Sequence, residues 1–262
     1  MKMVVITGST RGIGFAMAQS FLEQDCRVVI SGRKKSSIQG AVKLLSEIFG
    51  NDRVDGYPCD VTSYDALQKL WDFAVEKFSE IDIWINNAGI SNELNMLPKI
   101  PAEEIQRVVE TNVLGEMFGS RVALNGFIQQ GSGALYNMEG MGAKKGMKVD
   151  GLSIYGATKA GLRYFDDAII KENKNESILI GALLPGMMLT DMVMSQYEGK
   201  PEDWQKVEGI LGAISEDVQV VADWMTQKML ANKKNGVRFE YSNSFKIMVR
   251  MLQIPLKRLF QR

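Results

Sequence analysis

Tyr155 and Lys159, in the stretch SIYGATKAG, stand four residues apart, one turn along the same face if the segment is helical. An ammonium so placed stabilises a phenolate, and a phenol drawn down from its free pKa near ~10 is a better general acid at neutral pH. The chemistry on offer is protonation of an oxygen that is gaining negative charge. The plain alternative is a helical surface pair that does none. The chain contains no histidine, which removes Ser-His-Asp and Cys-His catalysis and nearly every common zinc site, so no metal centre is expected. Its two cysteines, Cys26 and Cys59, lie singly in apolar, strand-like runs and read as buried thiols of a reducing compartment.

A second constellation lies at the start. VVITGSTRGIG puts Gly8, Gly12 and Gly14, with Ser9, Thr10, Arg11 and Ile13 between them, where a first strand would pass into a first helix. Such a turn lets backbone N–H groups approach a pyrophosphate, and the helix N-terminus adds partial positive charge. The second strand should discriminate between cofactors. Sites that take NAD usually end it with an acid for the ribose 2′-hydroxyl; here VVISGRKK has Gly32 there, followed by Arg33 and Lys34. A 2′-phosphate would meet cations, with Arg11 able to point the same way, so NADP(H) is the expected cofactor. Solvated loop charges are the other reading. Asp60 and Val61 in YPCDVT follow a third strand, where Asp60 can accept from an adenine amino group or cap a helix. In INNAG, Asn86 and Asn87, with Ala88 and Gly89, can hold turns together or line the adenosine side of the cleft.

The elements that must position these residues alternate. Strand-like runs occur at Met3–Thr7, Arg27–Ser31, Val54–Pro58, Ile81–Asn86, Gly133–Asn137 and Ser177–Leu184. Helical periods occupy Ile13–Gln24, Ser37–Phe49, Tyr64–Phe78, Ala102–Gln130 and Ser153–Asn173. That alternation predicts right-handed βαβ crossovers and a Rossmann-like, doubly wound, mainly parallel sheet in three α/β/α layers as one domain. After Pro185 the pattern loosens into an excursion over the cleft, then a helix near Ser215–Leu230 and a last strand near Val237–Tyr241.

Five motifs now stand in order: TGSTRGIG, NNAG, Asn112 in ETNVLG, YGATK, and PGMMLTD from Pro185. Over residues 1–240 they resemble the short-chain dehydrogenase/reductase family. The resemblance implies that Tyr155 protonates a substrate carbonyl, that Lys159 binds the nicotinamide ribose and lowers the phenol pKa, and that Asn112 anchors a water in the relay. It implies that Pro185, Gly186, Met188 and Thr190 flank the nicotinamide, with Thr190 touching its carboxamide, and that subunits pair as homodimers or homotetramers through two long helices. One feature departs from the family pattern. Glu139-Gly140 stands where a hydroxyl residue would assist the tyrosine. Within the family, YNMEGMG, YGATKAGLRYF and LPGMMLTDM are similar to the chlorophyll b reductase branch, which also lacks that serine. The implied reaction is reduction of a formyl group to hydroxymethyl, with another lipophilic carbonyl (steroid, quinone or acyl chain) or a non-catalytic NADP sensor as rivals. In place of serine the donor can be Ser153, the Gly140–Gly142 backbone, a water, or a protonated Glu139 kept neutral by burial; equally, Glu139 can bind Lys144 or Lys145.

Met138, Met141, Met147, Met187, Met188, Met192 and Met194 gather in the two segments beside the expected nicotinamide. They suit a flat apolar substrate of awkward outline, or are ordinary packing. The basic amphipathic tail, residues 243–262 beyond a catalytic domain of 1–242, mixes five cations with large apolar residues and can lie in a membrane interface or dock on protein. Overall the 31 basic and 31 acidic residues balance, which gives no field for nucleic acid. A strand begins almost at Met1, and no apolar run approaches the ~18 residues of a spanning helix, so the expectation is a cytoplasmic protein, with the tail as its only route to peripheral membrane contact.

Overall fold

The structure, a computed structural model, describes residues 1–143 and 148–241. Lys144, Lys145, Met147 and the 243–262 tail, and the readings attached to them, lie outside the described residues. Seven strands form one sheet: β1 (Met3–Ile6), β2 (Arg27–Gly32), β3 (Val54–Pro58), β4 (Ile83–Asn86), β5 (Gly133–Met138), β6 (Ile178–Leu184) and β7 (Val237–Glu240). Their order is β3-β2-β1-β4-β5-β6-β7, and every adjacent pair is parallel. Parallel strands buried on both faces need apolar side chains in both directions. Val4 and Ile6 accordingly face one cluster while Met3 and Val5 face the other.

The helices divide between those clusters. On one side lie α1 (Gly12–Glu23), α2 (Lys35–Phe49) and α9 (Val218–Ala231); on the other α3 (Tyr64–Phe78), α5 (Gly115–Gln130) and α6 (Ser153–Glu172). The doubly wound three-layer fold is therefore as the alternation implies. Strand order reverses between β1 and β4, and such sheets bind ligands at the carboxyl ends of the strands beside that reversal.

Two regions depart from the expected elements. The long helix foreseen at 102–130 is three pieces: α4 (Ala102–Val109), a π-helical turn (Glu110–Leu114) and α5. The excursion after Pro185 contains two helices of its own, α7 (Asp191–Met194) and α8 (Pro201–Ile214). No residue of α8 is fully buried; Trp204, Val207, Leu211 and Ile214, at helical spacing, form a stripe that is only half-covered. Among the described residues, no helix is long and apolar enough to cross a membrane. Both cysteines are buried and unpaired; burial pushes the Cys59 thiol up to about 12 and raises that of Cys26, so each stays protonated and inert.

Candidate active site

The glycine turn between β1 and α1 is packed against the end of β4. Gly8 has φ +62°, and a Cβ there would lie 2.7 Å from the Ala88 Cα, so both conformation and space require glycine. A Cβ on Gly14 would meet the Asn87 amide at 2.5 Å. That amide donates to the carbonyls of Thr7 (2.9 Å) and Gly8 (3.0 Å), while Thr7 Oγ1 accepts from the backbone N–H of Asn87 and Ala88. Asn87 therefore stitches the turn to β4, the first of its two foreseen roles. Its buried Oδ1 has no hydrogen-bond partner among the described residues. At Gly12 a Cβ would meet nothing within 4 Å, so the turn opens outward as a cradle whose N–H groups are available to a phosphate. Arg33 and Lys34 stand exposed past the end of β2, with no carboxylate at Gly32.

Arg11, exposed, pairs at 3.2 Å with Asp191 at the start of α7, on the excursion. Asp60 accepts from the backbone N–H and hydroxyl of Thr62 (3.0 and 2.8 Å), a tight turn in place of the helix cap that was its local alternative; the cap of α3 is Ser63, which accepts from the Ala66 N–H, and Val61 is buried beside Asp60.

Tyr155 and Lys159 project from α6 toward the end of β5, and Gly140 lies between them. A Cβ on Gly140 would stand 2.5 Å from the Tyr155 hydroxyl and 3.4 Å from Lys159 Cγ. The missing serine thus has a steric reason: the phenol occupies the room its Cβ would need. Lys159, buried, donates to the Met138 carbonyl at 2.6 Å. The π-helical turn swings Asn112 into the interior, where its Oδ1 accepts from the Ile90 N–H at 2.8 Å and its Nδ2 donates to the Ile90 carbonyl (2.9 Å) and Thr158 Oγ1 (3.1 Å). Inserted π turns recur at functional positions. Asn112 is bound to the loop after β4 and to α6 at once.

Glu139 is buried, but its partner is Arg238 on β7, which donates from Nε at 2.9 and 3.1 Å and from Nη2 at 2.6 Å. A guanidinium has donors only, so the carboxyl opposite must accept. This corrects the expectation of a neutral Glu139 donating toward substrate. Ser153, the other side-chain candidate, begins α6 on the exposed surface. The methionines divide: Met138 and Met188 are core, whereas Met192 and Met194 are exposed on α7. Thr190 precedes α7, and its carbonyl accepts from Val193 and Met194 at 2.9 Å each; Pro185 is buried and Gly186 takes φ +83°.

Sequence reasoning missed a polar layer beneath this site. Glu116 and Ser120 on α5, Asn86 on β4, Asn137 on β5, and Lys159 and Asp166 on α6 are all buried. Asn86 and Asn137 are register partners, and their amides link at 2.9 Å; Asn137 donates on to Asp166 at 2.6 Å. Burial raises the Asp166 carboxyl to about 7 and lifts Glu116 well above the usual carboxylate range, against the opposing pull of Lys159. The available signal was spacing: Lys159, Leu162 and Asp166 fall on one helical face, and a buried leucine between two charges marks that face as interior. A further asparagine, Asn92, accepts from the Tyr155 N–H at 3.1 Å and donates to the Gly151 carbonyl at 2.8 Å. Gln196, just beyond α7, clips the same loop by accepting from Leu94 N–H (2.7 Å) and donating to the Asn92 carbonyl (3.0 Å). The excursion is thereby held across the cleft.

Residues 2–201 match the family model described as short chain dehydrogenase. The chain is 32% identical to the probable chlorophyll(ide) b reductase NYC1, chloroplastic, of Arabidopsis thaliana, over 98% of its own length and 54% of that protein. It is 35% identical to the chlorophyll(ide) b reductase NOL, chloroplastic, of Oryza sativa subsp. japonica, over 88% of itself and 67% of the relative. It therefore spans only about half the length of the first of these relatives. Among solved structures, ElxO with NADP bound superposes with a TM-score of 0.78 at 25% identity, covering 91% of this chain and 97% of that one. With the glycine cradle, the Tyr155–Lys159 helix and a family match over most of its length, the chain belongs to the short-chain dehydrogenase family of oxidoreductases.

Proposed function

We propose that this oxidoreductase reduces a bulky, hydrophobic carbonyl with NADPH, and that its substrate is the formyl group of chlorophyll b. The observation that carries the chemistry is the convergence of the Tyr155 hydroxyl and the Lys159 stem around Gly140, at the strand end beside the glycine cradle. The pigment assignment draws on the chlorophyll(ide) b reductases to which the chain is similar, and on the NMEGMG segment that leaves the serine position to glycine.

The cradle residues fit a dinucleotide. Backbone N–H groups of Thr10 to Ile13 would hold the pyrophosphate at the start of α1, and Arg33 and Lys34 would take a 2′-phosphate where an NAD site needs an acid. Ala88 and Gly89 would line the adenosine side. NADPH, when bound, supplies a hydride to the carbonyl carbon. Tyr155 donates its phenolic proton to the carbonyl oxygen as charge develops there, and the Lys159 ammonium stabilises the phenolate left behind. Asn112, locked by three hydrogen bonds, keeps its place at the inner end of the relay. Thr190 and Gly186, between β6 and α7, bound the nicotinamide side. The exposed Met192 and Met194 on α7 offer apolar, deformable contact to a macrocycle. Exposed Ile128 on α5 and Tyr164 on α6 accord with a homo-oligomer through those helices.

NADPH oxidation is measured with chlorophyll b and with a panel of steroid, quinone and acyl carbonyls. Turnover of chlorophyll b, lost by about 10²-fold or more in Tyr155→Phe, is the expected result. Turnover confined to another carbonyl would transfer the substrate assignment; binding without turnover of any would favour a sensor. Arg33→Ala should weaken NADPH far more than NADH, and equal losses would remove the 2′-phosphate role.

A further inference from the structure

Glu116 has no part in the reaction as described, yet it lies directly behind it. Its Oε2 is 4.0 Å from Lys159 Nζ, with both side chains almost wholly inaccessible. Its Oε1 is buried without a hydrogen-bond partner among the described residues. Among the described residues the Lys159 ammonium donates to the Met138 carbonyl, and Glu116 is the carboxyl placed to share its charge. We propose that Glu116, reaching under Lys159 from α5, is a positioning residue that sets how much positive charge Lys159 presents to Tyr155.

The charged groups that bear on Glu116 come from two elements. Lys159 and Asp166 face it from α6, and Glu139 faces it from the end of β5. Glu139 is itself neutralised in part by Arg238 on β7, which also pairs with Asp167. Two carboxyls thus oppose the ionisation of Glu116 and one ammonium favours it. While Glu116 is neutral, Lys159 acts on the phenol with its full charge. Once Glu116 is anionic it offsets that charge and repels a phenolate directly, and both effects keep Tyr155 in its proton-donating form to higher pH. The site so built retains its acid as the solution becomes more basic.

This inference rests on Tyr155 as the proton donor, but it can be read without turnover. Phenolate formation is followed by ultraviolet difference absorbance against Tyr155→Phe, in the otherwise wild-type chain and in Glu116→Gln. The Tyr155 midpoint should fall by about one pH unit in Glu116→Gln, the size of effect expected for a charge within ~4–6 Å of its partner. Glu116→Leu should give the same fall, because charge is the cause, and Glu116→Asp should restore most of the wild-type midpoint. Circular dichroism establishes that each variant is folded; Gln preserves the shape should Leu fail. With chlorophyll b as the assayed carbonyl, the basic limb of the kcat profile should move down by the same interval. An unchanged or rising midpoint in a folded Glu116→Gln overturns the inference even if the enzyme is active. A shifted midpoint in a protein that reduces no carbonyl would leave the inference standing and remove the proposed function instead.

Discussion

At the scale of single residues, Gly140 answers the question its identity raises. A reader guided by family pattern would restore serine there and expect a better enzyme. The geometry says the reverse, because a Cβ would stand 2.5 Å from the Tyr155 hydroxyl, closer than real side chains approach. Gly140→Ala and Gly140→Ser should both push the phenol aside, and a displacement of about 1 Å at a reacting group can cost ~10²-fold. The expected outcome is a fall in kcat of that order with little change in thermal stability, measured side by side. Glu139 carries the complementary lesson. Its burial was legible as interest but its partner was not, since Arg238 lies 99 residues away.

At the scale of elements, the fit of α5 against α3 depends on a glycine that no catalytic argument requires. A Cβ on Gly126 would run into the indole of Trp71. That ring is fixed among Trp84, at 5.8 Å between centroids, and Phe127, at 5.3 Å. Alanine in a helix gains up to ~1 kcal/mol over glycine, whereas overpacking a rigid core costs about 1–3 kcal/mol. The second effect should win, so Gly126→Ala is expected to lower the urea midpoint by roughly 1–2 kcal/mol of stability. Because α5 carries Glu116 and follows the turn of Asn112, a modest loss of activity should accompany it. The divided 102–130 helix belongs to the same scale. Helical periodicity continues through a π turn with a slip of one residue, too small to break the apolar pattern, and so a single helix was the natural reading.

At the scale of the whole molecule, the buried carboxyls make stability depend on pH in an unusual direction. Asp166 is raised to about 7, so the folded state holds its proton through a range in which the unfolded chain, with a carboxyl near ~4, has released it. The native state then binds more protons, and stability falls as pH rises from about 4 to about 7. Glu116, raised by the same burial, pushes the same way. Asp166→Asn should therefore leave stability near wild type at pH ~4 and increase it by up to about 4 kcal/mol at pH ~8. Urea titrations at the two pH values check this, and a variant less stable at pH ~8 would contradict it. That a chain should keep a destabilising carboxyl two turns below Lys159 accords with a polar layer retained for the site above it.

The sequence by itself determined the fold class, because strand and helix periods alternate and every strand is apolar enough to be buried on both faces. It determined the glycine cradle and the tyrosine–lysine pair too, since each is a local pattern whose spacing fixes its geometry within one turn of chain. Only the tertiary structure decided what stands opposite those residues. Glu139 faces Arg238, Arg11 faces Asp191, and Glu116 lies under Lys159, pairings separated by 99, 180 and 43 residues. The physical reason is that a side chain's charge partner is set by which strand ends and helix faces the sheet order brings together, and no local period records that order.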